Sequence, residues 1–152
     1  RGDAFTVGGS VRVQVLGPPV RPGRRGVEGE NERSVVLHLA YGHADVLLPG
    51  DVEAAAERDL VRTYGGQLAS RIVKVPHHGS ETSSTEGFVE RVVSERGTEA
   101  VVSVGESNPF GMPDSSVVAR WRSNGAHVRT TARAGAVWLR SDGRKVWEVE
   151  WK

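Results

Sequence analysis

Three times along this chain a short apolar run gives way to a Gly- or Pro-bearing loop and then to a stretch with helical periodicity. The runs are Leu47-Leu48 before Pro49-Gly50-Asp51, Val73-Lys74-Val75 before Pro76-His77-His78-Gly79-Ser80, and Val102-Ser103-Val104 before Gly105-Glu106-Ser107-Asn108-Pro109-Phe110-Gly111. Repetition of strand, loop and helix predicts an α/β sheet whose crossover helices bring those loops together at the carboxyl ends of the strands. Ligands and reacting groups collect at that edge in α/β sheets. Asp51, His77, His78 and Asn108 are therefore the side chains that the pattern singles out.

The remaining segments extend the same pattern. Val11 to Leu16 alternates apolar and polar, as a half-buried strand does. Ser34 to Leu39 and Ala44 to Leu48 flank Tyr41-Gly42-His43 and predict a hairpin. Val52, Ala56, Leu60 and Tyr64 recur every four residues, a helix that Gly65-Gly66 ends. Ser83-x-x-Glu86 has capping-box spacing ahead of Phe88, Val89, Val92 and Val93 on one helical face. Asp114 is placed to cap a third helix that turns Val117, Val118 and Trp121 inward and stops at Asn124-Gly125. From Ala126 a C-terminal β-meander is expected over Val128 to Thr130, Ala136 to Arg140 and Val146 to Trp151, with Asp142-Gly143 as a hairpin turn. Residues 18–33, rich in Pro, Gly and charge, read as a mobile surface loop whose Arg21 to Arg25 cluster is neutralised by Glu28, Glu30 and Glu32. The expectation is one domain over 1–152 with a mixed sheet and about three helices.

Composition narrows the chemistry. With 152 residues, 38% hydrophobic and 26% charged, the chain can bury an ordinary globular core. It contains no Cys, so any metal would be held by His and carboxylate, a ligand set that suits Zn, Mn or Fe. A net charge of +1 lacks the basic bias of a dedicated nucleic-acid module. No apolar run has the length of a membrane span, and no leader resembles a signal peptide. The first residue is Arg1 rather than Met, as expected of a piece of something longer.

Each candidate residue carries a plain reading beside the chemical one. Asp51 sits where an N-cap would sit as well as where a metal ligand would. Adjacent His77 and His78 in extended backbone would point to opposite faces, one toward a metal and the other toward substrate or a supporting partner. Gly79-Ser80 offers backbone N–H groups to a phosphate, and Asn108 beside Pro109 is turn chemistry. His38, His43 and His127 read as structural or solvated. Trp121, Trp138, Trp147 and Trp151 read as core residues rather than a base-stacking platform.

Several of these segments together resemble the C-terminal metallo-β-lactamase domain of the ComEC competence family. They are Asn31-Glu32-Arg33-Ser34-Val35-Val36-Leu37, Leu48-Pro49-Gly50-Asp51-Val52-Glu53, Lys74-Val75-Pro76-His77-His78-Gly79-Ser80, and Ser103-Val104-Gly105 through Asn108-Pro109-Phe110-Gly111-Met112-Pro113. The resemblance runs from the first residues to about Val137 and implies the C-terminal half of a metallo-β-lactamase (αββα) fold. It implies Asp51 and His78 as metal ligands, His77 beside the scissile phosphate, and Asn31, Gly79, Ser80 and Asn108 as substrate contacts. The implied cofactor is a divalent ion, Zn or Mn, with no nucleotide cofactor. The implied reaction is hydrolysis of a phosphodiester in the DNA strand that a membrane channel does not import. The implied partners are single-stranded DNA, the rest of the domain and the channel, with the parent in the bacterial cytoplasmic membrane and this domain on its extracytoplasmic side.

Two departures qualify what the resemblance implies. The family's upstream His-x-His-x-Asp-His motif is absent, since no His precedes His38. Met112 stands where relatives carry His, and a thioether is a poor ligand for a hard cation. The chain alone is thus expected to lack a full dinuclear site. Two other readings remain: a catalytically degenerate domain that binds DNA or is structural, and a phosphoesterase of the same fold acting on small molecules.

Overall fold

The computed structural model describes residues 2–18 and 29–150. Among these residues, seven strands lie in one sheet in the order in which the chain makes them. The first four are β1 (Ala4–Val7), β2 (Val11–Gly17), β3 (Val36–Tyr41) and β4 (Ala44–Leu48), paired antiparallel. β5 (Ile72–Lys74), β6 (Thr98–Val102) and β7 (Ala126–Thr130) then add on in parallel. Parallel neighbours need crossovers, and α1 (Ala54–Tyr64), α2 (Glu86–Val92) and α3 (Ser115–Ser123) supply them. A short α4 (Thr131–Ala134) comes after β7, and β8 (Leu139–Ser141) pairs with β9 (Val146–Glu148) as a separate hairpin. The mixed α/β class read from the sequence is the observed one.

One sheet face is dry. Leu47, Val73, Ala100 and Val102 pack there against Ala56 and Leu60 of α1, Phe88, Val89 and Val92 of α2, and Val117 and Trp121 of α3. The opposite face carries the alternate residues Val46, Ile72, Lys74, Val101 and Arg129, all half-buried. The period-2 arithmetic of a strand produces this split, with every second side chain going to the helices. Among the described residues no helix is long and apolar enough to cross a membrane.

Four sequence expectations are corrected. Residues 126–130 do not open a meander: Val128 lies opposite Ala100 in the main sheet, and only β8 and β9 form a terminal hairpin. That hairpin leaves Trp138 and Trp147 exposed, so Trp121 is the core tryptophan, while Trp151 lies outside the described residues. The Ser83-x-x-Glu86 capping box does not form. Ser83 Oγ lies 3.0 Å from the Pro76 and Ser80 carbonyls, and Glu86 instead reaches Asn124 Nδ2 at 2.9 Å. Finally, Glu32 is not part of a solvated loop. Asn31–Arg33 is a turn of 3₁₀ helix and Glu32 is buried; residues 19–28, with the Arg21 to Arg25 cluster and Glu28, lie outside the described residues.

The buried position of Glu32 explains how α1 begins. Its carboxylate accepts from the Ala55 and Ala56 amides at 3.1 and 2.7 Å, satisfying two of the four orphan N–H groups at that helix end. Asp51 makes no cap. Replacing Glu32 with Ala is expected to cost about 1–2 kcal/mol, the usual worth of a lost cap. A urea midpoint unchanged from the parent protein would refute this role.

Candidate functional site

The loops after β4, β5 and β6 meet as the strand pattern requires. Gly50 turns the first of them with φ 67°, and a Cβ there would lie 2.7 Å from Ser34 Cβ, so only glycine lets the loop approach so closely. The Asp51 amide then donates to Ser34 Oγ at 3.0 Å, and Lys74 Nζ reaches both Gly50 O and Asp51 Oδ1 at 3.0 Å. Burial pushes the Asp51 carboxyl up, but the hydrogen bond and charge of Lys74, with His78 and His77 behind it, outweigh that and hold it below the ordinary carboxylate range.

The His pair is not extended. His77 (φ 44°, ψ 44°) and His78 (φ 54°, ψ 19°) both adopt left-handed backbone inside a 3₁₀ turn over Pro76–Gly79. Alternation along a strand therefore cannot be what separates their side chains. The turn is pinned by His77 N donating to Gly50 O at 3.3 Å and Ser80 N donating to His77 O at 2.9 Å. Two consecutive non-glycine residues at positive φ cost roughly 1–2 kcal/mol each, and strain of this kind concentrates at functional sites.

The two imidazoles have different partners. His78 Nδ1 lies 2.6 Å from the Ser103 carbonyl, which can only accept, so Nδ1 carries a proton and donates. In the neutral ring Nε2 is then a bare lone pair, and it lies 3.7 Å from Asp51 Oδ1. His77 Nδ1 is 3.1 Å from Glu53 Oε1 and 3.5 Å from Thr82 Oγ1. Asn31 Nδ2 donates to the same Glu53 oxygen at 3.1 Å. Asn31, Glu53 and His77 thus form one chain of contacts, and Asp51, His78 and Ser103 a second.

The other candidates are placed differently. Gly79 is a packing residue: its φ is 81°, a Cβ would sit 2.6 Å from Pro113 Cβ, and its carbonyl accepts from the Asp114 amide at 2.9 Å. The Ser80 amide is used within the turn, and its hydroxyl pairs with Thr82 Oγ1 at 3.0 Å. Asn108 braces its own loop, donating to Gly105 O and Met112 O and accepting from Met112 N. It nevertheless lines a cleft of about 460 Å³ beside His78, Ser103, Phe110, Met112 and Thr131. His38 is half-buried, and burial holds its pKa below the usual imidazole value. His43 contacts Arg96, and His127 contacts Glu99 at 2.8 Å.

Glu53, Lys74 and Ser103 were not singled out by the sequence reading. Lys74 left the one usable trace, a lysine between two valines at the end of a buried strand. Among the described residues no three His, Asp or Glu side chains converge into a complete cation site.

The fold and this edge define an α/β chain with a carboxylate and an imidazole presented together at the carboxyl ends of parallel strands. No family model matches it. The chain is 36% identical over 118 residues to a protein named competence protein ComA from Neisseria gonorrhoeae, covering 78% of this chain and 17% of that protein. It is 36% identical over 108 residues to recombination protein 2 of Haemophilus influenzae, covering 71% and 13%. With ComE operon protein 3 of Bacillus subtilis it shares 26% identity over 115 residues, covering 76% and 14%. It spans less than a fifth of the length of these curated relatives. By this similarity the chain belongs to the ComEC competence family, as the counterpart of one segment of its members.

Proposed function

We propose that this chain forms one wall of a divalent-metal phosphodiesterase site in a membrane-associated competence protein, and that the site acts on DNA during uptake. The observation carrying the reading is the Asp51–His78 pair: a carboxylate oxygen facing an imidazole lone pair at 3.7 Å. Two bonds of about 2.1 Å to a shared ion would span that gap. The Ser103 carbonyl behind His78 is the usual second partner of a metal-bound imidazole, fixing tautomer and ring orientation. The residues present thus fit two ligands of a Zn or Mn ion, and the remaining donors come from outside the described residues.

A divalent ion bound there supplies a water acidified to about pKa 7 and a positive charge that offsets the phosphate oxygens. The chain's own residues do the rest. Lys74 fixes the Asp51 carboxylate and keeps it ionised. Glu53 and Thr82 engage His77 through Nδ1, which leaves Nε2 to meet a phosphate oxygen or a leaving group. Asn31 holds Glu53 in place for that task. In this reading the segment lies on the extracytoplasmic side, where incoming DNA is met.

The test is Mn²⁺- or Zn²⁺-dependent cleavage of single-stranded DNA by the full-length protein. Asp51→Ala is expected to lower the rate at least tenfold, roughly the loss of one charge-stabilising contact. An unchanged rate would sink the metal assignment. One observation favours a second reading: Lys74 Nζ, 3.0 Å from Asp51 Oδ1, already neutralises the carboxylate. In that case the domain guides DNA without cutting it, and calorimetry will show no metal binding that Asp51→Ala abolishes.

A further inference from the structure

The cleft beside His78 has a second depression next to it. Consecutive residues pass from it into a second groove of about 570 Å³ between α3 and the β7–α4 segment. Met112 lines the first and Pro113 the second, and Thr131 lines the first while Thr130 and Ala132 line the second. Two features punctuate this path. Phe110, at the cleft rim, is 78% exposed, the most exposed large apolar side chain among the described residues. Arg122 and Arg133, lining the groove, are exposed and make no ion pair among the described residues. Arg129, also in the groove, differs, being held by Glu99 and Glu148 at 2.9 Å. The groove lining includes no acidic side chain. Asp114 flanks it but is turned to the Ser116 amide and hydroxyl, and Glu106 shares Phe110's loop without lining the cleft.

An exposed aromatic at one depression and unpaired guanidiniums in the adjoining one match what a single strand offers, a base face and then phosphates. A duplex keeps its base faces stacked and would leave Phe110 without a partner. We propose that single-stranded DNA runs from His78 past Phe110, which stacks on a base, into the groove where Arg122 and Arg133 take two phosphates. This rests on the reading that the chain handles single-stranded DNA and adds which residues grip it.

The test is fluorescence anisotropy of a labelled oligothymidylate with the intact protein in EDTA, where metal chemistry is silent. Phe110→Ala is expected to weaken binding roughly tenfold, with Phe110→Trp restoring it. The double variant Arg122→Ala, Arg133→Ala is expected to make the slope of log K against log salt shallower by roughly 1.4, since each single-strand phosphate contact contributes about 0.7. Lysine at both positions is expected to keep the wild-type slope. An unchanged slope in the double alanine variant, or equal losses on a duplex of the same length in Phe110→Ala, overturns the proposal. Because all three positions are solvent-facing, loss of fold does not stand in for loss of binding. A protein that shows these binding changes but cleaves nothing sinks the metal reading while supporting the track.

Discussion

Replacing Glu57 with Ala is expected to remove about 3 kcal/mol of folding stability, measured as a shift of the urea midpoint at neutral pH. Glu57 lies on α1 with no exposure, and its carboxylate accepts from the amides of Ser84 and Thr85, ahead of α2. Ser84 is itself fully buried at φ 59°; Trp121 Nε1 donates to its hydroxyl at 3.1 Å and Arg120 to its carbonyl at 2.7 Å. Alanine at 57 leaves one buried and one part-buried N–H group without an acceptor, at about 1–3 kcal/mol each, partly offset by no longer burying a carboxyl. A loss below about 1 kcal/mol would mean that water replaces the carboxylate.

The same residue carries a pH signature. Burial drives its carboxyl up to about 7, against the hydrogen bonds from Thr85 and Ser84 and with the charge of Glu32 adding to the rise. A folded-state pKa above the unfolded one means that the native protein holds the proton more tightly. The contribution is therefore fully present below the unfolded value of 4.5 and is lost as pH rises through about 7. Between pH 8 and pH 5, wild type should gain about 2–3 kcal/mol relative to Glu57→Gln, which has no proton to lose. A gap independent of pH would show that the carboxyl titrates normally.

Gly79→Ala is expected to cost about 3 kcal/mol and to disturb the His pair as well. The left-handed backbone penalises any Cβ by about 1–2 kcal/mol. Here the new methyl would also lie 2.6 Å from Pro113 Cβ and 3.2 Å from its Cα, so backbone rather than a flexible side chain has to move. Pro113 leads into α3, and Met112 before it is braced by Asn108, so the shift reaches the cleft wall. Imidazole NMR resonances of His77 and His78 should move in Gly79→Ala. If they stay fixed while stability falls, the turn is stiffer than its contacts indicate.

The legible part of the sequence was whatever depends on neighbours along the chain. The β4 and β5 runs, the 3.6-residue repeat of α1 and the Asp114 cap on α3 are local patterns and are where the pattern put them, while β6 (Thr98–Val102) ends before the Ser103-Val104 part of its run. Glu32 and Glu57 were not legible as caps, because their amide partners lie 23 to 28 residues further on. β7 was misplaced for a related reason. Strand propensity says that Val128 to Thr130 is extended, but not whether it pairs with an earlier strand or a later one. At the candidate site the meeting of the Asp51 and His77-His78 loops was legible, whereas Glu53, Lys74, Ser103 and the backbone were not: nothing local announces two adjacent histidines at positive φ. That geometry comes from closing the turn onto Gly50 O.

Strand order along the sheet equals strand order along the chain, from β1 to β7. During synthesis each of β2 to β7 therefore finds the preceding strand already made, and only the newest edge stays open for the next segment. Sheet growth of this kind keeps loop closures short and limits the time that unpaired edges are available for aggregation. The exception comes last, when the His43 amide in the early hairpin donates to the carbonyl of Gly143 at 2.6 Å. The terminal ribbon is thus a late clasp on the seven strands made before it.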